Sequence, residues 1–361
     1  MVGDSDQPPP IRRGRSLRLS TEEVSSEEAP TEVSGELPVR GRGLRLSVAS
    51  DAALGVASPL PEVAPSTEPP PVPEVGPSRE LIPLNRRYRR TDRGWLSYLH
   101  GGTGRPLLLL HGWGASARIW VGVGGALADR RTIYALDLPG AGGIAPRSGV
   151  PTLNALVEET LGVVDTLELA QFDLLGHALG AAVAALIAAR RPDRVGQLGL
   201  IGLGVRSFAP ELLALSAIRP PLDLFMRLTR PITDRWQPIN HALLQSWPIS
   251  WTMQALLLQS VPALPQLWQA YLEDRTLADA RVDMTSWTLV GDAALRTALQ
   301  TIQAPTLCIA GRNDRLVSPA AVTAAQQRIP GSELRLLDGC GHLPMVEHPE
   351  LLYQTLRQFF E

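Results

Sequence analysis

The chain contains no lysine: of its 361 residues, 34 are cationic and every one of these is arginine. That absence removes a P-loop lysine, a Schiff-base lysine and a pyridoxal-phosphate lysine from consideration. Cysteine is scarce as well, with only Cys308 and Cys340, too few for a disulfide framework. No apolar run reaches the ~18–20 residues that cross a bilayer. The N-terminus, Met1-Val2-Gly3-Asp4-Ser5-Asp6-Gln7, lacks the basic-then-apolar order of a secretory signal. The expectation is a cytoplasmic protein without a membrane span. A formal net charge of −2 provides no global field for nucleic acid. No cluster of His, Cys, Asp and Glu has metal-ligand spacing. Gly140-Ala141-Gly142-Gly143 follows a predicted strand but is not the Gly-x-Gly-x-x-Gly that opens a dinucleotide-binding helix. Neither a cofactor nor a metal is expected.

Aromatic residues are missing before Tyr88, and Pro, Ser, Glu and Gly dominate residues 1–85. Such a segment buries too little apolar surface to offset chain entropy, which predicts a disordered tail. Pro69-Pro70-Pro71 favours stiff polyproline II. One motif recurs in this tail: Arg13-Gly14-Arg15-Ser16-Leu17-Arg18-Leu19-Ser20 returns as Arg40-Gly41-Arg42-Gly43-Leu44-Arg45-Leu46-Ser47, with seven of eight positions identical. In an extended strand Leu17 and Leu19 share one face. A duplicated arginine-leucine motif fits a docking peptide that a protein partner takes up by strand addition, with avidity from the second copy. Drift in a low-complexity tail is the competing account.

Beyond the tail the pattern changes. Trp95–Leu99, Leu107–Leu110, Thr132–Leu136, Phe172–Leu175, Val195–Ile201, Thr306–Ala310 and Glu333–Leu337 read as short, mostly buried strands. Helical patterns lie between them, including an alanine-rich run from Leu179 to Arg190 that stops before Pro192. Another begins at Pro349 and spaces Leu352, Leu356 and Phe360 at helical intervals. Strands alternating with helices predict an α/β domain with a mostly parallel sheet. Residues 206–285 interrupt the alternation with proline-punctuated, Leu- and Trp-rich helical sequence containing Trp236, Trp247, Trp251 and Trp268.

Five segments carry a family resemblance, in family order. Leu110-His111-Gly112-Trp113-Gly114, Asp137-Leu138-Pro139-Gly140-Ala141-Gly142, Gly176-His177-Ala178-Leu179-Gly180, Gly311-Arg312-Asn313-Asp314 and Gly339-Cys340-Gly341-His342 together resemble the α/β-hydrolase fold family. The resemblance covers residues 88–361 and not the tail. It implies an α/β-hydrolase core in two parts, residues 86–205 and 286–361, with residues 206–285 as a helical cap. Trp247 and Trp251 are then candidates to line an apolar pocket under that cap, although packing of cap onto core accounts for most of the tryptophans. Gly176–Gly180 resembles the nucleophile elbow, whose central residue sits in an unfavourable backbone conformation and needs small neighbours. By the same resemblance the N–H groups of Trp113 and Leu179 form an oxyanion hole. His342 is the general base, and Asp314 orients it.

The elbow position that usually carries a serine holds Ala178. A methyl group cannot attack a carbonyl, and loss of the serine from such a triad costs about a millionfold in turnover. Four accounts follow. The chain is a degenerate hydrolase kept for binding a small or medium apolar carbonyl compound, or a non-catalytic docking protein recruited through its tail repeats. Alternatively it is an enzyme that uses His342 and Asp314 as a base acting on water or on the substrate. A deliberate serine-to-alanine substitution is the fourth. No other nucleophile is well placed. Cys340, two residues before His342, reads as packing more readily than as a nucleophile, and Cys308 as core. Ser207 has no orienting partner. His111 and His177 read as structural support, His348 as a cap of the last helix, and His100 and His241 have no readable partner.

Overall fold

The computed structural model describes residues 81–91, 94–141, 152–204, 247–278 and 293–361. Eight strands form one sheet: β1 (Asn85–Thr91), β2 (Gly94–Gly101), β3 (Arg105–Leu110), β4 (Arg131–Leu136), β5 (Phe172–His177), β6 (Val195–Ile201), β7 (Thr306–Gly311) and β8 (Glu333–Leu337). Their order across the sheet is β1-β2-β4-β3-β5-β6-β7-β8. The β1–β2 and β2–β4 pairs are antiparallel and every other neighbouring pair is parallel. The central strands are apolar almost throughout because both faces of the sheet are covered. Leu107 to Leu110 are fully buried, and so is all of β5.

The helices are α1 (Val121–Leu127), α2 (Leu153–Thr166), α3 (Leu179–Arg190), α4 (Trp247–Leu257), α5 (Pro265–Leu277), α6 (Ala293–Ala298), α7 (Pro319–Gln326), α8 (Pro344–Glu347) and α9 (Pro349–Phe359). One face of the sheet packs on α2, α3 and α7, the other on α1 and α9, and α5 adds Leu267, Trp268, Tyr271 and Leu272 to the same apolar cluster. Local chemistry sets their starts. Thr152 accepts from the Ala155 N–H at 3.1 Å to cap α2. Ser318 does the same for Ala321 at 3.3 Å, with Pro319 in the first turn of α7. Helix α3 is buried on nearly every side, which its alanines allow by keeping it thin.

The strands expected from the sequence are all present. Strand β1 is an addition: Asn85-Arg86-Arg87-Tyr88-Arg89-Arg90-Thr91 has no apolar alternation, yet it pairs with β2 along its length. It lies at the sheet edge, where arginines keep an open strand soluble. Arg86 turns inward to the Ser97 hydroxyl at 2.6 Å and to the carboxylate of Asp137. Within the segment expected to form a cap, α4 and α5 are described. Residues 1–80 with both repeats, and Ser207, Trp236 and His241, lie outside the described residues. No described helix is long and apolar enough to cross a membrane.

Candidate active site

The carboxyl ends of the parallel strands β3, β5, β7 and β8 deliver the residues of interest to one edge of the sheet. Between β5 and α3 the chain turns at Ala178, which has φ 48° and ψ −108°. A side chain at such a positive φ costs of order 1–3 kcal/mol. The turn closes only around glycines: a Cβ on Gly176 would lie 2.4 Å from the Gly180 carbonyl oxygen, and one on Gly180 would lie 2.2 Å from that of Leu110. Two hydrogen bonds pin it, from Ala178 N–H to the Ile201 carbonyl at 2.8 Å and from Ala182 N–H to the Ala178 carbonyl at 3.1 Å. Leu179 is the first residue of α3, so its N–H has no acceptor within the helix and lies at the positive end of the dipole.

Strand β3 runs directly into the loop His111–Gly114. A Cβ on Gly112 would sit 2.7 Å from His177 Nδ1 and 3.2 Å from Ala178 Cβ, so this backbone lies against the elbow. His111 braces the loop. Its Nε2 accepts from the Leu138 N–H at 3.0 Å, and its Nδ1 therefore carries the proton and donates to the Gly112 carbonyl at 2.8 Å. Burial lowers its pKa and keeps the ring neutral. Trp113 and Leu179 line one small cavity of about 20 Å³ together with Leu138, Leu156 and Ala278, room for about one water molecule. The Arg275 guanidinium lies 3.9 Å from the centre of the Trp113 ring, a cation–π contact from α5 onto this loop.

Asp314 follows β7 and His342 follows β8. Both are buried, and His342 Nδ1 is 2.7 Å from Asp314 Oδ2. The other oxygen of Asp314 accepts from the N–H groups of Leu316 and Val317, each at 2.8 Å. Burial alone would raise the Asp314 pKa. His342 and the two amides outweigh it and hold the carboxyl below its ordinary value. The ionised carboxylate accepts the Nδ1 proton of His342, which leaves the lone pair on Nε2. The ring of His177 lies 4.7 Å from that of His342, and His177 Nε2 donates to the His342 carbonyl at 2.9 Å. Burial, and after it the neighbouring His342, push the His177 pKa down to about 3. Gly202, at φ 64°, closes this corner, since a Cβ there would lie 3.3 Å from His342 Cε1.

The structure thus pairs Asp314 with His342, lays Gly112 against His177 and Ala178, and packs His177 against His342, while Trp113 and Leu179 share a small cavity that Ala178, Asp314 and His342 do not line. Trp251 on α4 is 65% exposed and does not line the small cavity. Trp247 begins α4, and its side chain lies outside the described residues. Trp268 is buried and stacks on Tyr271. His348 is the N-cap residue of α9; its side chain makes no capping bond and donates to the Gly339 carbonyl at 3.1 Å. Cys308 is pushed up to about 12 by burial, and Cys340 is raised further by burial and by Glu347 and Asp314, so neither favours a thiolate. Among the described residues no group of three His, Cys, Asp or Glu side chains is placed to hold a metal ion.

Three buried carboxylates were not anticipated. Asp137, in the Asp-x-Pro-Gly turn, accepts from Ser97 Oγ and Ala117 N–H, both at 2.7 Å. Asp274 on α5 accepts from Ser116 Oγ at 2.5 Å and Arg118 Nε at 2.9 Å, joining α5 to the segment after the His111–Gly114 loop. Glu347 joins the His342 loop to the end of α4. Their partners are far away in sequence, and an isolated Asp or Glu carries no local sign of burial.

The family model for the alpha/beta hydrolase fold matches residues 105–349. A pimeloyl-[acyl-carrier protein] methyl ester esterase of Nitrosomonas europaea is 30% identical over 258 residues, covering 69% of this chain and 93% of the relative. A 2-hydroxymuconate semialdehyde hydrolase of Pseudomonas putida is 27% identical over 280 residues, 74% of this chain and 91% of the relative. Among solved structures, a bacterial membrane phospholipase A superposes with a TM-score of 0.59 at 25% identity, covering 77% of this chain and 86% of that one.

Proposed function

Because the chain belongs to the alpha/beta hydrolase fold family, we propose that it binds a small or medium apolar carbonyl compound of ester type, with hydrolysis lost or much weakened. One observation carries the reading. Ala178 occupies the strained turn at φ 48° that lifts a side chain off the end of β5, while the Asp314–His342 pair stands intact at 2.7 Å. The family relatives include esterases and other hydrolases.

In this reading the carbonyl oxygen of the ligand accepts from the N–H groups of Trp113 and Leu179, and its carbon faces the Ala178 methyl. That methyl has no lone pair, so no acyl-enzyme forms. The remaining route is direct. His342 Nε2 takes a proton from water as the water oxygen adds to the carbonyl carbon. The C–O bond to the alcohol then breaks, and His342 returns the proton to the leaving alkoxide. Binding and the oxyanion donors alone leave about 10³–10⁴ over the uncatalysed reaction in a triad hydrolase stripped of its nucleophile.

The test is calorimetric titration with methyl esters of short and medium acids, with the free acid measured in the same samples. Binding with little or no acid released supports the proposal. Binding of none of the esters, or their rapid release as acid, rejects it.

The duplicated Arg-Gly-Arg-x-Leu-Arg-Leu-Ser motif favours a second reading, a non-catalytic docking protein recruited by a protein partner. The two readings separate by truncation. Removing residues 1–80 leaves ester binding unchanged in either, and abolishes partner recovery only in the second.

A further inference from the structure

We propose that Glu347 is a positioning residue that ties the end of α4 to the loop carrying His342, so that this helix and the base are held as one unit. The inference rests on the reading of His342 as the general base. Glu347 is 2% exposed. One carboxylate oxygen accepts from the Gly341 N–H at 2.9 Å, beside His342. The other accepts from the N–H groups of Gln259 and Ser260, at 2.6 and 2.9 Å, just past α4. His342 itself donates its N–H to the Leu257 carbonyl, the last residue of α4, at 2.7 Å. The acid loop reaches the same place. Arg315, next to Asp314, donates to the Ala255 carbonyl at 2.6 Å and to Gln259 Oε1 at 3.2 Å. Residues 255–260 are therefore a common anchor for acid and base.

The close approach is specific. A Cβ on Gly341 would lie 2.7 Å from the Leu257 carbonyl oxygen and 3.0 Å from Glu347 Oε1. Taking a carboxylate out of water is expensive, and an apolar side chain would fill the space at lower cost. What the apolar side chain lacks is acceptors for three N–H groups on two separate segments. The carboxylate supplies them at once, and it sets the distance between α4 and the histidine loop.

Glu347→Gln tests this. The amide keeps the volume and one acceptor but turns the other oxygen into a donor facing N–H groups, so one side of the tie breaks. In the natural chain the low-field Nδ1–H resonance of His342 is the readout, and it needs no turnover. The expected result is a broadened or shifted resonance in a protein with unchanged far-ultraviolet dichroism. In an Ala178→Ser background the same change is expected to lower kcat at least about tenfold with KM held within about twofold. Glu347→Asp, which restores the acceptors on a shorter arm, recovers part of the loss. Should Glu347→Gln not fold, Arg315→Ala at the exposed acid-loop tie must shift the same resonance. A serine form without turnover, but with a perturbed resonance in Glu347→Gln, supports the tie and counts against the hydrolase reading instead. A lowered melting temperature with the resonance and kcat both unchanged, or an unchanged resonance in Arg315→Ala where the first variant fails to fold, overturns the proposal.

Discussion

Replacing Ala178 with serine adds one oxygen at the end of β5 and alters nothing else that the turn depends on. Alanine and serine share a Cβ, so the strain at φ 48° is the same in both. The glycines that let the turn close, Gly176 and Gly180, stay in place. In the proposed reading such an oxygen would work with His342, whose Nδ1 is held by Asp314 at 2.7 Å, and with the amide at the start of α3. Deleting the nucleophile from a comparable triad costs about a millionfold, about 8 kcal/mol of transition-state stabilisation. Restoring it is therefore expected to raise p-nitrophenyl ester hydrolysis at least about a thousandfold, or about 4 kcal/mol, allowing for a pocket tuned to another acyl group. Two further signs go with the rate. A pre-steady-state burst of p-nitrophenol reports the acyl-enzyme, and a fluorophosphonate probe labels the serine form at residue 178 but not the alanine form. A folded serine form that is unlabelled and no faster than the natural chain would refute the reasoning, because it would mean that the base and oxyanion donors are not aligned on this position.

Other outcomes follow from the same geometry. Ala178→Gly relieves the positive φ but frees the unfolded chain, so a net gain of about 0.5–2 kcal/mol is expected, read as a higher melting temperature; a lower one would show that the turn is unstrained. His177 sets a pH dependence. The unfolded side chain takes a proton below about 6.5, whereas the folded one does so only near about 3, so stability is full above the unfolded value and is lost as pH falls between the two. The loss is on the order of 4 kcal/mol. Asp314, held below its ordinary value, adds to the loss on the acid side. Thermal unfolding from pH 7 to pH 4 should fall less steeply in His177→Gln, and parallel curves would remove His177 as the cause. Asp274→Ala strips Arg118 of a buried partner and leaves Ser116 Oγ without its acceptor, at an expected cost of about 3–5 kcal/mol measured by urea unfolding; a cost under about 1 kcal/mol would class the network as a surface pair. Changing Leu17, Leu19, Leu44 and Leu46 to Ser should abolish recovery of a protein by the tail, and equal recovery would reduce the repeat to drift.

The elements that place the site were legible because turns advertise themselves. Gly176 and Gly180 are needed where backbone approaches backbone, Pro192 follows the end of one helix and Pro349 opens another, so strand, turn and helix fell at the observed positions. Asp314 and His342 were singled out only because Gly311-Arg312-Asn313-Asp314 and Gly339-Cys340-Gly341-His342 resemble the acid and histidine loops of the family; what the structure adds is that the two side chains meet. Strand β1 was not readable. Its arginines give no alternation, and what fixes it is an antiparallel partner and the contact of Arg86 with Asp137, 51 residues away. The same holds for Asp274, whose partner Arg118 is 156 residues distant, and for Glu347, which meets Gln259 across 88 residues. Local pattern carries helices, strands and turns, whereas a buried ion pair is a property of the closed fold. Trp251 was a pocket candidate only through the resemblance of its segment to a cap, and its 65% exposure is a property of the fold that no local pattern carries.

The central claim is that this chain holds an ester at the elbow without a nucleophile to cleave it. The most direct measurement is a crystal structure of the natural chain soaked with a medium-chain methyl ester that calorimetry has shown to bind. The account predicts an intact ester, its carbonyl oxygen about 2.7–3.1 Å from the N–H groups of Trp113 and Leu179 and its carbonyl carbon over the Ala178 methyl. An ester bound elsewhere with this corner empty, or a free acid in its place under conditions where the ester is stable in buffer, would contradict it.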